Sequence, residues 1–238
     1  MKNIKEKISI IMPAFNESGH IITSITETCR TFNEFGCRWE LIVIDDGSSD
    51  DTYEKALSQC ALHPGLVVKK NPVNLGKGRA LKKAIHFVTG EYVVFLDADM
   101  DLHPIQVQTL FDIMRLDSAD IVIGSKMHQN SRVQYPLQRK IMSWIYYALV
   151  RVLFNLPCHD TQTGLKLFKT EVLKKVFPRI LVKKFAFDLE LLVNANHLGY
   201  KMAEAPIVLN PQRTHYGRIG SSAALATFWD TLAVYYRM

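Results

Sequence analysis

The chain has 238 residues, of which 48% are hydrophobic and 22% charged, and carries a formal net charge of +6. That length suits one large α/β domain with a well-buried core rather than two independent domains, and the mixed composition, without repeats or low-complexity tracts, excludes a disordered chain. A basic surface suits nucleic acid, anionic lipid or a phosphorylated substrate equally, so charge does not choose among them.

The opening stretch MKNIKEKISIIMPAFNE passes from charge straight into a strand-like run. Its apolar segment is too short for a secretory signal, and Pro13 and Asn16 interrupt it. Ile8–Met12, Leu41–Ile44, Leu66–Val68, Tyr92–Leu96 and Ile121–Ile123 read as strands, each short, β-branched or aromatic and bounded by turn residues or charge. Between them, Ile21, Ile25, Cys29 and Phe32 recur at helical spacing, as do Ala80, Ala84 and Val88. Asp50 is placed to cap a helix near Thr52, and Pro104 to open one carrying Ile105 to Met114. Strand-helix alternation of this kind predicts an α/β fold with a mostly parallel central sheet and helices on both faces.

The second half is less regular. Ile141–Leu156 is aromatic and apolar, broken by Arg151, and reads as a helix lying on a membrane or buried in the core rather than crossing a bilayer. A polar turn at His159–Gly164, a helix from about Phe187 to His197, a strand at Ala205–Leu209 and a last helix from about Ala223 to Arg237 complete the chain. Cys29, Cys37, Cys60 and Cys158 show no zinc-like spacing and read as reduced thiols of a cytosolic protein.

Ligands of an open parallel sheet bind beyond the carboxyl ends of its strands. The unusual residues of this chain follow the strands: Pro13-Ala14-Phe15-Asn16-Glu17, Asp45-Asp46-Gly47-Ser48-Ser49-Asp50 and Asp97-Ala98-Asp99-Met100-Asp101. The last group packs three carboxylates into five residues, which repel one another unless a cation offsets them. Mg²⁺ or Mn²⁺ binds through one or two carboxylates plus substrate phosphates, so Asp97, Asp99 and Asp101 are the candidate metal ligands. The bland alternative is a solvated loop ahead of the Pro104 helix. Asp45 and Asp46 are candidates to accept hydrogen bonds from a nucleobase or ribose, against the alternative of an Asp-Gly turn. Asn74-Leu75-Gly76-Lys77-Gly78-Arg79 is a basic turn entering a helix and suits a diphosphate, although it matches neither a P-loop nor a dinucleotide fingerprint.

As an ordered set, PAFNE (13–17), DDGSSD (45–50), NLGKGRA (74–80), DAD (97–99), GSK (124–126), DTQTGLKLF (160–168) and FAFDLELL (185–192) resemble the family-2 glycosyltransferases of GT-A fold. The resemblance is strongest to the polyprenyl- and dolichyl-phosphate mannosyl- and glucosyltransferases. It implies a GT-A catalytic domain over 1–210 and a phosphate- or membrane-proximal segment over 211–238. Pro13, Phe15, Glu17 and Asp46 would line the nucleoside pocket, Lys77 would approach the diphosphate, and Asp97 and Asp99 would hold the metal. Asp101 stands where the mannosyltransferases often carry Gln. Asp160 and Gln162 would lie near sugar and acceptor, with Asp188 and Glu190 close by. Arg213 or Arg218 would meet the acceptor phosphate, aided by Arg132.

The implied reaction is an inverting transfer of a hexose from UDP-glucose or GDP-mannose to a lipid phosphate at the cytoplasmic face of a membrane, without nucleic acid. DTQTGLKLF and FAFDLELL favour the glucosyl branch. A phosphate acceptor is already anionic and needs no base. A hydroxyl acceptor, the nearest rival, would need Asp160 or Asp188 as one. A nucleotidyltransferase would place a Gly-rich basic loop after the first strand, where this chain has PAFNE. A basic adaptor or nucleic-acid binder leaves the acids at three strand ends unexplained.

Overall fold

In a computed structural model, residues 5–133, 137–182, 186–210 and 221–238 are described, apart from the side chains of 137–140 and 221–225. In chain order the elements are β1 (Ile8–Ala14), α1 (Ile21–Phe35), β2 (Trp39–Asp45), α2 (Thr52–Ser58), β3 (Leu66–Lys70), α3 (Lys77–Ala84), β4 (Tyr92–Phe95), α4 (Val107–Leu116), β5 (Ile121–Ser125) and β6 (Arg132–Val133). There follow α5 (Leu137–Phe154), β7 (Lys166–Lys169), α6 (Thr170–Val176), α7 (Phe187–His197), β8 (Met202–Pro206), β9 (Val208–Leu209) and α8 (Ser221–Tyr235).

Seven strands form one sheet in the order β3-β2-β1-β4-β7-β5-β8. The strand runs are apolar on both faces because both are covered. Alternate residues of β1 divide between two cores: Ile8, Ile10 and Met12 pack towards α1 and α4, whereas Ile11 packs towards α3, α6 and α7. All pairings are parallel except those of β7, which runs antiparallel to both β4 and β5.

That one inversion organises the site. With β7 reversed, β5 runs parallel to β4, so the carboxyl ends of β1 to β5 meet at one edge of the sheet. The amino end of β7, and the 160–164 loop before it, reaches the same edge.

The predicted strands and helices of the first half are all present. Pro104 opens a short 3₁₀ turn that leads into α4. Asp50, not the adjacent Asp51, accepts the Thr52 N–H at 3.1 Å ahead of α2. The reading of the second half is corrected at β6, β7 and α6, which it lacks, and at the 205–209 strand. Residues 166–169 form a central strand, unpredicted because it is four residues long with lysine at each end. The expected strand Ala205–Leu209 is two strands: β8 pairs with β5, and β9 pairs with β6 beyond a break at Ile207.

All four cysteines are free. Burial pushes the thiols of Cys29 and Cys158 up to about 11 and about 12, as befits inert core groups. Among the described residues no helix is long and apolar enough to cross a membrane.

Candidate active site

The loop after β1 is held in a strained form. Asn16 adopts φ +54°, uncommon for a residue with a side chain. It is fixed at both ends, its N–H donating to Ser48 Oγ at 2.9 Å and its Oδ1 accepting the Ser49 N–H at 3.0 Å. Glu17 donates its N–H to Thr52 Oγ1 at 2.8 Å. PAFNE and DDGSSD therefore form one interlocked unit, with the Phe15 ring exposed above it.

The two acids after β2 hold protein rather than facing open space. Asp45 is fully buried and accepts from both the N–H and the hydroxyl of Ser48. That corrects the expectation that it meets a nucleobase or ribose. Asp46 reaches across to the basic turn, accepting from Asn71 Nδ2 at 2.7 Å, Leu75 N–H at 3.1 Å and Gly76 N–H at 2.8 Å. Gly47 has φ +73°, and a Cβ there would lie 2.4 Å from the Val73 carbonyl carbon, so only glycine lets these two loops approach.

This latch sets the start of α3, where Gly76 (φ +92°) turns the chain and Lys77 begins the helix. Lys77 Nζ meets Asp97 Oδ1 at 2.6 Å. Burial works against the ammonium charge, but Asp97, Asp188 and Asp99 outweigh it and raise the Lys77 pKa above its ordinary value.

Asp99 is the reverse case. Burial and the like charges of Asp97 and Asp101 push its carboxyl up to about 6. Negative charge therefore accumulates beyond what Lys77 offsets, which is the electrostatic condition for a divalent cation. The fit is to a shared site. Among the described residues no three acidic, His or Cys side chains converge as a metal cage, so Asp97, Asp99 and Asp101 do not form a three-ligand site by themselves. Two carboxylates completed by diphosphate oxygens match both this geometry and the habits of Mg²⁺. Met100, with φ +59°, marks the strained turn that presents the acids.

The 160–164 loop lies directly against them. A Cβ on Gly164 would stand 2.0 Å from Asp97 Oδ2, so the loop backbone touches the carboxylate itself. Nothing in the sequence pattern signals that contact. Asp160 is buried and accepts three donors, the N–H of Lys126 (3.0 Å) and of Gln162 (3.1 Å) and the Thr163 hydroxyl (2.6 Å). Lys126 Nζ lies 3.6 Å away. Glu204 ties the loop to β8 by accepting the N–H groups of His159 and Asp160.

Asp188, in the first turn of α7, is neither a solvated residue nor a cap. It is buried, and its Oδ1 meets Lys166 Nζ at 2.6 Å. Burial alone would raise its carboxyl, but the charges of Lys166, Lys77 and Lys126 hold it below the ordinary carboxylate range. Glu190 stands apart from this group. It accepts the N–H groups of Leu181 and Val182 and pairs with Arg237 at 3.2 Å, a structural task that corrects its expected place beside the acceptor. Arg132 lies in the exposed β6. Arg213 and Arg218 lie outside the described residues.

A parallel α/β sheet with a basic helix start, paired acids and a buried charged loop at one edge is the GT-A arrangement of nucleotide-sugar transferases. Comparison with known proteins agrees. The model of glycosyl transferase family 2 matches residues 9–177, and the chain belongs to that family.

Among its curated relatives is a dolichyl-phosphate beta-glucosyltransferase of Trichomonas vaginalis, 30% identical over 240 residues that cover 97% of this chain and 74% of the relative. The dolichyl-phosphate beta-glucosyltransferase of Saccharomyces cerevisiae is 28% identical, covering 84% of this chain and 66% of the relative. A solved structure of glucosyl-3-phosphoglycerate synthase from Mycobacterium tuberculosis with UDP superposes at a TM-score of 0.73 and 21% identity, covering 97% of this chain and 80% of that one. At that identity it supports the fold alone.

Gly164→Ala tests the packing of the loop on the acids. The new methyl must displace Asp97 or the loop, so transfer is expected to fall about a hundredfold. The melting temperature should change little, because Asp97 is only part-buried and can swing aside. A variant with normal turnover would show that the contact is incidental.

Proposed function

We propose that the protein is a metal-dependent, inverting transferase that moves glucose from UDP-glucose to a polyprenyl phosphate at the cytoplasmic face of a membrane. The observation that carries this reading is that the two candidate bases, Asp160 and Asp188, are both engaged by protein groups. Asp160 accepts three protein donors, and Asp188 is paired with buried Lys166 and held below the ordinary carboxylate range, which weakens it as a base. A hydroxyl acceptor needs one of these carboxylates free to take its proton. A phosphate monoester is already anionic and needs none.

In this reading the phosphate oxygen attacks the anomeric carbon in line while the bond to the UDP oxygen breaks, inverting the centre. Lys77, released from Asp97, meets the leaving diphosphate. Asp97 and Asp99 would hold Mg²⁺ or Mn²⁺, which would supply Lewis-acid stabilisation of that leaving group. Pro13, Phe15, Glu17 and Asp46 would border the nucleoside, and Asp101 would adjoin the ion. Arg213, Arg218 and Arg132 are the candidates to steer the acceptor phosphate. The names of the relatives favour glucose and a dolichyl-type lipid. UDP and Mn²⁺ occur together in a neighbouring fold, the synthase complexed also with phosphoglyceric acid.

A donor screen tests the nucleotide. UDP or UDP-glucose with Mn²⁺ is expected to raise the melting temperature, and EDTA to abolish the rise. A shift with GDP-mannose alone would transfer the reading to the mannosyl branch.

Membrane attachment has its own support. Helix α5 turns Val150 inwards but exposes Ile141, Met142, Trp144, Ile145 and Val152, and α8 beside it exposes Phe228 and Trp229. Aromatic and aliphatic residues on paired helices of a basic protein suit an anionic lipid interface. The double variant Trp144→Ala/Trp229→Ala is expected to reduce co-flotation with anionic liposomes about tenfold. Unchanged flotation would make this face something other than a lipid anchor.

A further inference from the structure

The least expected charge in the molecule is Lys166. It opens β7, the reversed strand in the middle of the sheet, between the core residues Leu165 and Leu167, and its side chain is 1% exposed. A buried ammonium costs several kcal/mol unless it is paired and hydrogen-bonded, and an apolar residue of similar volume is often as stable or more so. Stability alone therefore gives no reason for a lysine here.

Its bonds suggest another reason. Lys166 Nζ donates to the Thr163 carbonyl at 2.5 Å and to Asp188 Oδ1 at 2.6 Å. One ammonium thus joins the strand, the loop that carries Asp160 and Gly164, and the first turn of α7. The residues beside Asp188 and Lys77 pack directly on each other, a Cβ on Gly78 standing 2.5 Å from the Phe187 ring, and at this junction of α7 with α3 Asp188 lies in the field of Lys77 as well as of Lys126. Charges of alternating sign run from Lys166 through Asp188 and Lys77 to Asp97, the last link being 2.6 Å long.

We infer that Lys166 is a positioning residue for transfer, which pins Asp188 so that its carboxylate holds Lys77 in register between Asp97 and the donor diphosphate. Lys166 has no access to substrate and acts through Asp188. With Asp97 given over to a cation, Lys77 would lose that partner, and Asp188 would keep the ammonium from following it. The inference rests on the donor side of the proposed function and is independent of which acceptor is used.

Consumption of UDP-glucose with Mn²⁺ is measured with and without polyprenyl phosphate, for wild type, Lys166→Met, Asp188→Asn, the double variant and Lys166→Arg. Consumption by wild type that ignores the lipid would sink the acceptor reading and leave the comparison among variants intact, because hydrolysis by water uses the same donor site. The expected result is a fall in kcat of about a hundredfold in Lys166→Met and in Asp188→Asn, with donor KM within about twofold. The double variant should be no worse than either single one.

Lys166→Arg keeps the charge, and with it the fold, but a planar guanidinium cannot reproduce both short ammonium bonds. It should lose about tenfold in kcat, and it carries the test should Lys166→Met fail to fold. Wild-type kcat in Lys166→Arg, or losses that multiply in the double variant, would overturn the inference and leave Lys166 a structural ion pair.

Discussion

Asp99→Asn is expected to lower kcat/KM by at least about a thousandfold, the scale of losing one anchor of a Lewis acid on the leaving group. It should also make the metal-free protein more stable at pH 7. The second effect follows from the first observation about this residue: burial, Asp97 and Asp101 push its carboxyl up to about 6. A carboxyl raised from 3.8 in the unfolded chain to about 6 in the folded one binds its proton more tightly when folded. Stability is then greatest below the unfolded value and falls as pH rises through about 6.

At pH 7 the ionised group costs the metal-free fold about 1–2 kcal/mol after allowance for its partial exposure. Asparagine removes that cost, so in EDTA the variant should melt about 2–8 °C higher than wild type at pH 7. The two should converge near pH 4. The thermal shift produced by UDP with Mn²⁺ should vanish in the variant. Retained turnover at saturating Mn²⁺ would sink the metal assignment. A lower melting temperature in EDTA would show that Asp99 is a structural acceptor instead.

The site could be located from sequence because its acids interrupt apolar runs at strand ends, where an α/β sheet always presents its loops. The seven ordered motifs supplied the family. What remained hidden depends on contacts between distant segments. The 166–169 stretch reads KLFK, and no local pattern reveals that it enters the centre of the sheet in reverse and delivers the 160–164 loop to Asp97. A lysine at position 166 reads as solvated by every local rule, since its burial is compensated by an aspartate 22 residues away. Asp45 and Asp46 are neighbours of identical chemistry, yet one turns into its own loop and the other across to residues 71–76. Two consecutive acids after a strand announce a site without saying which of them faces a ligand. The aromatic run at 141–156 reads as a helix lying on a membrane or buried in the core, and in the fold it buries Val150 while Ile141, Met142, Trp144, Ile145 and Val152 stay exposed.

Asp46→Ala is expected to be the most damaging change outside the metal site. Its carboxylate accepts from Asn71 Nδ2, Leu75 N–H and Gly76 N–H while 3% exposed, so truncation strands three donors at once. Each donor left unmade in a buried setting costs about 1–3 kcal/mol, and the outer loop can recover part of this through water. A net loss of about 3 kcal/mol is expected, which in a chain of this size lowers the melting temperature by about 6–12 °C. The same bonds fix Gly76 at φ +92° and so aim Lys77, hence donor KM should rise and kcat fall together. Asp46→Asn keeps one acceptor oxygen but turns an N–H₂ towards donors, and it should fall between wild type and alanine. Thermal melts and donor kinetics on the three proteins separate two roles for the residue. Loss of stability together with activity marks Asp46 as the latch of the basic turn. An unchanged melting temperature with lost UDP binding would mean that the carboxylate meets the nucleoside directly and that the loop holds its shape without it.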